Sequence, residues 1–142
     1  MRHKKNTVKL GRNSSHRRAM FANMLKSLIT NGRIETSVAK AKALRSYADR
    51  MITFAKKNTL ASRRRVLAEL MVRFNKLTPK EARAAKAGDT SSYNDDRKVL
   101  DQLFTEIAPR FSQRQGGYTR IIRTGTRVGD ASERCFIEYL SE

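Results

Sequence analysis

Apolar positions recur at three- and four-residue steps along most of the chain up to Ile107, then switch to a two-residue rhythm. Met20, Phe21, Met24, Leu25, Leu28 and Ile29 make one face of a first helix. Asn13, Ser14 or Ser15 can cap it, and Asn31-Gly32 supplies a left-handed stop. Arg33 to Ser37, with Ile34 and Thr36, reads as a short strand. A second helix from about Val38 to Lys57 carries the stripe Ala41, Leu44, Ala48, Met51, Ile52 and Ala55. A third follows Asn58-Thr59, with the stripe Val66, Leu67, Leu70, Met71, Phe74 and Leu77.

Thr78-Pro79-Lys80-Glu81 is a helix-start signature: a Thr cap, a proline at the first helical position, and a glutamate three residues after the cap. It predicts a short Ala-rich helix ending at Gly88, then a polar loop from Asp89 to Tyr93. Asn94 or Asp95 can cap a last main helix with the stripe Val99, Leu100, Leu103, Phe104 and Ile107, which Pro109 should end. From Ser112 the pattern favours strands. Tyr118–Thr124 and Arg134–Leu140 are rich in β-branched and aromatic residues. They predict a hairpin with a nine-residue loop holding Gly125, Gly129 and Asp130. The expected fold class is α+β: several helices packed on a small antiparallel sheet with a C-terminal β-hairpin, plus a basic extended N-terminal arm. The expected division is an arm over 1–13 and one domain over 14–142.

Charge turns this pattern toward a partner. The 142 residues carry 31 Lys+Arg against 13 Asp+Glu, a formal net charge of +18. Up to Arg65 there are 18 basic residues and two acids, Glu35 and Asp49; beyond it the balance is close to neutral. A compact molecule of that charge repels itself, which points to a polyanion. A membrane partner fits poorly, because no apolar run approaches the ~20 residues that span a bilayer. The polar opening MRHKKNTVKLGRNSSHRR also lacks the apolar region of a secretory signal. A single cysteine, Cys135, precludes an internal disulfide framework and makes the cytoplasm the default compartment.

Chemistry-bearing constellations are sparse. His3, His16 and Cys135 have no metal-ligand spacing, so neither metal nor cofactor is expected. Asp95-Asp96 reads more simply as a helix-cap pair than as a two-metal centre. Gly116-Gly117 is no phosphate-binding P-loop, since no Lys-Ser or Lys-Thr follows it. What remains is suited to nucleic acid. Lys4, Lys5, Lys9 and Arg12 lie in a segment too polar to fold alone, which should order on meeting its partner. His16, Arg17 and Arg18 sit in the first turn of a helix, where N–H groups favour anions. Arg63-Arg64-Arg65 opposes a helix dipole, a local cost that phosphates would offset. Arg114-Gln-Gly-Gly-Tyr-Thr-Arg120 is a basic glycine loop, with Gly116 and Gly117 able to approach a phosphate closely. Tyr118 is either a base-stacking ring or a core residue, and the core reading is favoured. No small-molecule substrate and no catalysis are expected. A nucleoid-type or regulatory DNA-binding protein is the alternative to an RNA binder, but the basic residues lie on many elements at once, as a large folded RNA requires.

Several blocks resemble a known family. Met1-Arg-His-Lys4, Leu10-Gly-Arg-Asn-Ser-Ser-His-Arg-Arg-Ala-Met-Phe21, Ile34-Glu-Thr36, Lys40-Ala-Lys42 to Arg45, Arg63-Arg64, Pro109-Arg-Phe111 and Gly116-Gly-Tyr-Thr-Arg120 are similar, in order and spacing, to the bacterial large-subunit ribosomal proteins of the L-seventeen family. The resemblance covers the first 65 residues and roughly Asp95 onward. It implies a structural protein of the large ribosomal subunit, near the polypeptide exit region, with large-subunit ribosomal RNA and neighbouring ribosomal proteins as partners. Carried onto the matching blocks, it adds Arg2, His3, Asn13, Ser14, Ser15, Lys40, Lys42, Arg45 and Arg110 to the expected RNA-contacting residues. The stretch at about 72–94 departs from the family pattern as an insertion, and its near-balanced charge predicts a surface position with little RNA contact.

Overall fold

The computed structural model describes His3 and residues 8–141. Five helices pack with a three-stranded antiparallel sheet. They are α1 (Ser14–Asn31), α2 (Val38–Lys57), α3 (Leu60–Leu70), α4 (Pro79–Lys86) and α5 (Asp95–Gln102); the strands are β1 (Arg33–Ser37), β2 (Thr119–Thr126) and β3 (Glu133–Tyr139). The strand order is β1-β3-β2, so the last strand of the chain lies between the other two. Ile34 and Ile121 both stand opposite Ile137, which puts all three on one face of the sheet.

α2 runs through the middle. Ala41, Leu44, Ala48, Met51, Ile52 and Ala55 are at most 2% exposed, as its stripe predicts. Leu25, Leu28 and Ile29 of α1, Val66 and Leu70 of α3, and Leu103 and Phe111 close the core from the helical side; Cys135 and Ile137 close it from the sheet. Local chemistry sets the ends. The Asn13 side chain accepts from the His16 N–H at 2.8 Å. Gly32 turns left-handed at φ 68 and its N–H reaches the Leu28 carbonyl. Thr59 and Thr78 both form capping boxes, with Ser62 and Glu81.

Four expectations need correction. First, α3 stops at Leu70, and Met71 takes a left-handed conformation at φ 52. Met71 and Phe74 are therefore 42% and 48% exposed instead of buried. The apolar period continues past Leu70, but tertiary hydrogen bonds hold the backbone out of the helix. Arg73 N–H donates to Asp96 at 2.7 Å, and the Arg73 carbonyl accepts from the Asn94 side chain at 2.6 Å. Second, Pro109 does not end the last helix. α5 widens into a π-helical segment, Leu103–Ile107, and then makes one more turn, Ala108–Arg110. The Ala108 N–H reaches back five residues to Leu103. A proline ring crowds the carbonyl four residues before it, and the wider π turn relieves that crowding. Third, the hairpin loop is shorter than nine residues. β2 runs to Thr126 and β3 begins at Glu133, with a bulge between Arg123 and Gly125.

The fourth concerns the arm. Arg2, Lys4 and Lys5 lie outside the described residues. Val8 to Asn13 is not extended throughout: Leu10 and Gly11 have φ of 53 and 62, and the Arg12 N–H returns to the Lys9 carbonyl at 3.1 Å. Leu10 is partly buried against the core, which anchors this turn.

Candidate nucleic-acid interface

The folded-back turn before α1 begins the site. Arg17 donates to the Arg12 carbonyl at 2.9 Å and to the Lys9 carbonyl at 3.4 Å, while Arg12 Nε donates to His16 Nε2 at 3.3 Å. Lys9, Arg12, His16 and Arg17 thus gather around the α1 N-terminus, with Ser14 and Ser15 exposed on its first turn. Helix N-terminal N–H groups and the helix dipole both favour an anion there.

Arg18 carries the surface onward. Its guanidinium donates to the Ala68 carbonyl at 3.0 Å, tying α1 to α3. It lies between two concavities. One, about 360 Å³, is lined by Ser14, Arg17, Phe21, Tyr47 and Arg50 among others; the second is lined by Ala61, Arg64, Arg65 and Ala68. Glu69 is the one acid, shared by both. Phe21 and Tyr47 stack at 5.0 Å and form an apolar base under the cations. Five guanidiniums, from Arg17, Arg18, Arg50, Arg64 and Arg65, therefore line one surface across three helices. Arg50 was not among the residues expected to contact RNA. Arg50 lies one turn after Tyr47, so its position follows from helical phase once Tyr47 is known to face α1.

The other expected residues are dispersed. Arg63 turns away from Arg64: it donates to Asn58 Oδ1 at 2.9 Å and stacks on Phe104, 4.6 Å from the ring centroid. Lys42 and Arg45 are exposed on α2. Lys40 joins Arg127 and Arg134 in a separate concavity beside Glu35, which pairs with Arg134. Arg127 grips Asp130 through two nitrogens and, with the Ser132 N–H, holds that carboxyl at about 2. His3 and Arg110 are exposed.

The glycine loop is braced from below. The Arg114 carbonyl accepts from Lys56 Nζ at 2.5 Å and from the Tyr118 hydroxyl at 3.2 Å. Gly116 and Gly117 have φ of 146 and 61, which other residues rarely adopt. The Tyr118 ring is 2% exposed and packs against Phe111 at 5.2 Å. The core reading of Tyr118 is thus the one the structure shows, and its ring is not presented to a base. Arg120 donates to Glu138 at 2.5 Å, and Arg33 also reaches Glu138, at 3.4 Å, so part of this positive charge is already compensated. Among the described residues no group of three His, Cys, Asp or Glu is placed to hold a metal. No described helix is long and apolar enough to cross a membrane.

Comparison with known proteins shows what the chain is similar to. The family model described as ribosomal protein L17 matches residues 20–140. The large ribosomal subunit protein bL17 of Protochlamydia amoebophila is 66% identical over 142 residues, covering all of both chains. The bL17 proteins of Chlamydia felis and Chlamydia trachomatis serovar L2 are 60% and 59% identical over 141 residues, covering at least 99% of each chain. Alignments of that coverage leave no room for a segment that these relatives lack, so the stretch at 72–94 is common to them. On the match across residues 20–140 and these full-length identities, the chain belongs to the ribosomal protein L17 family.

Proposed function

We propose that the protein is a structural, non-enzymatic constituent of the large subunit of the cytoplasmic ribosome, and that it binds large-subunit ribosomal RNA. The arginine surface on α1, α2 and α3 grips duplex phosphates. The observation that carries this reading is five guanidiniums against one carboxylate on one continuous surface. The arm over 1–13, the α1 N-terminus and the glycine loop add contacts around it, within one domain over 14–142 that has an insertion at about 72–94. We further propose that it sits near the polypeptide exit region, against neighbouring ribosomal proteins, a reading that the family resemblance supports.

Each phosphate neutralised on duplex RNA lowers log K by about 0.9 per decade of salt. Replacing Arg17, Arg18, Arg50, Arg64 and Arg65 with glutamine should flatten the salt dependence of binding to large-subunit RNA strongly. Neutralising Lys9 and Arg12, with Lys4 and Lys5, should add to this. Replacing Arg114, Arg120 and Arg123 should flatten it less per charge, because Arg120 and Arg123 already face Glu138 and Glu133. The check is a binding series across salt for each set. Equal flattening per charge would refute the division. Sedimentation of a lysate through sucrose at moderate salt tests the assembly itself: the protein should run with the large subunit.

A further inference from the structure

α3 has a second flank that carries an arginine. Arg64, Arg65 and Ala68 face the arginine surface, whereas Arg63 and Leu67 face a cleft of about 270 Å³ on the side of α5. That volume is at the small end of ligand pockets, which start near ~300 Å³, and suits one flat ring system better than a helix or strand. Phe74, Tyr93, Leu100 and Phe104 wall it. Its two guanidiniums lie on rings: Arg63 is 4.6 Å from the Phe104 centroid, and Arg97 is 4.6 Å from Phe74 and 5.4 Å from Tyr93. Arg97 is fixed by two 2.9 Å bonds to the side chain and carbonyl of Asn75. These are preformed stacking planes, held in place before any partner arrives. Phe74 is 48% exposed, an apolar ring left half uncovered.

The cleft also holds a carboxylate. Asp101 lines it, and among the described residues its carboxylate has neither an ion pair nor a hydrogen bond. Five of the described carboxylates, Glu35, Asp96, Asp130, Glu133 and Glu138, face a cation; Asp101 does not, and of the carboxylates without one it is the one in this cleft. An unpaired carboxylate repels phosphate, so it disfavours the cleft as a general backbone site. It has two acceptor oxygens and no donor. Stacking planes accept any base. A two-oxygen acceptor distinguishes among bases by their donors. Guanine presents N1–H and N2–H side by side on its pairing edge. Adenine and cytosine present one amino group there, and uracil one ring N–H. That guanine edge is free only when the base is unpaired.

We propose that this cleft receives a single unpaired guanine of RNA, stacked against the Phe74–Arg97 and Phe104–Arg63 planes and read by Asp101. The site is separate from the arginine surface, although it rests on the reading that the protein binds ribosomal RNA. It places Phe74 and Tyr93, at the two ends of the 72–94 stretch, in contact with RNA, where charge balance alone predicts little.

The test uses the full chain and five-nucleotide single-stranded RNAs that differ only in a central guanine, inosine, adenine or uracil. Guanine should bind tighter than adenine or uracil by about tenfold or more, the discrimination expected of a good bidentate contact. Inosine, which lacks the amino group, should fall between. Asp101→Asn should abolish the preference, bringing guanine down to the level of adenine and uracil. Phe74→Ala should weaken all four oligonucleotides alike. Equal affinities for all four in the wild type, or a guanine preference that survives Asp101→Asn, overturns the proposal. In the assembled subunit, a photoreactive phenylalanine analogue at position 74 should cross-link to RNA at a guanine. A cross-link to protein, or none to RNA, assigns the cleft to another occupant and overturns it as well. If the chain fails to enter the large subunit at all, the ribosomal reading falls, while the solution preference for guanine still stands or falls on its own.

Discussion

Asp96 joins three parts of the chain through one carboxylate. It pairs with Lys26 of α1 at 2.6 Å, accepts the Arg73 N–H at 2.7 Å, and itself opens α5. Burial pushes its carboxyl up. The Lys26 and Arg73 bonds and their positive charges outweigh that and hold it below the ordinary value of 3.8. A lowered folded value means that the stabilisation is present above 3.8 and is lost as pH falls through the folded value. Asp96→Asn keeps the shape and one acceptor but loses the charge. It should cost about 1 kcal/mol near neutral pH, allowing for partial solvent screening. Denaturant melts of both proteins across a pH series check this: the gap should close below the ordinary aspartate value. A gap unchanged down to the most acid point would mean that the charge contributes nothing. Asp130 offers a second reading at this scale. Its carboxyl should titrate at about 2 by NMR and move toward 3.8 in Arg127→Ala, because the Arg127 bonds are the largest cause of the shift.

The 72–94 stretch behaves as an element with a closed base. Asn75 donates to the Ser92 carbonyl at 2.8 Å, Asn94 N–H donates to Asn75 at 3.4 Å, and the Asn94 side chain reaches Arg73. α4, carried at the far end, buries no residue. Removing 77–91 and joining Lys76 to Ser92 with a short polar linker should keep the fold, and it retains Phe74 and Tyr93. Binding to large-subunit RNA should change by less than about tenfold, or 1.4 kcal/mol; a larger loss would make α4 an RNA contact in its own right. The helix caps are readable from sequence, because each depends on neighbours within four residues: Asn13 with His16, Thr59 with Ser62, Thr78 with Glu81. The end of α3 is not readable in that way. Met71 and Phe74 keep the helical period, and only bonds to residues 94 and 96 reveal that the backbone has left the helix. Pro109 misleads for a related reason: the π turn that accommodates it has no local signature. The arginine surface was half legible. Arg17, Arg18 and Arg64 stand out as runs of charge. Arg50 and the divergence of Arg63 from Arg64 depend on which helix each flank meets.

At the scale of the whole molecule, a formal charge of +18 on 142 residues is a standing repulsion in the free protein. The described ion pairs relieve it mainly at the sheet, where Glu138 sits between Arg33 and Arg120. The arginine surface has only Glu69. Screening should therefore stabilise this fold: raising sodium chloride from low to physiological strength, where the Debye length shortens to about 8 Å, should raise Tm by a few degrees. A falling Tm would mean that attractive pairs dominate instead. The strand order β1-β3-β2 has a consequence of another kind, in time. β1 ends at Ser37 and its partner β3 begins at Glu133. At ~5–20 residues per second of synthesis, β1 waits about 5–20 s for the strand that completes it. Until then both flanking strands are orphans, and Cys135, Ile137 and Tyr139 are missing from the interior. A chain cut short before β3 has no sheet to form. The helices can assemble early, but the sheet closes only once β3 has been made, and a copy without it leaves β1 and β2 without their shared partner and open to proteolysis.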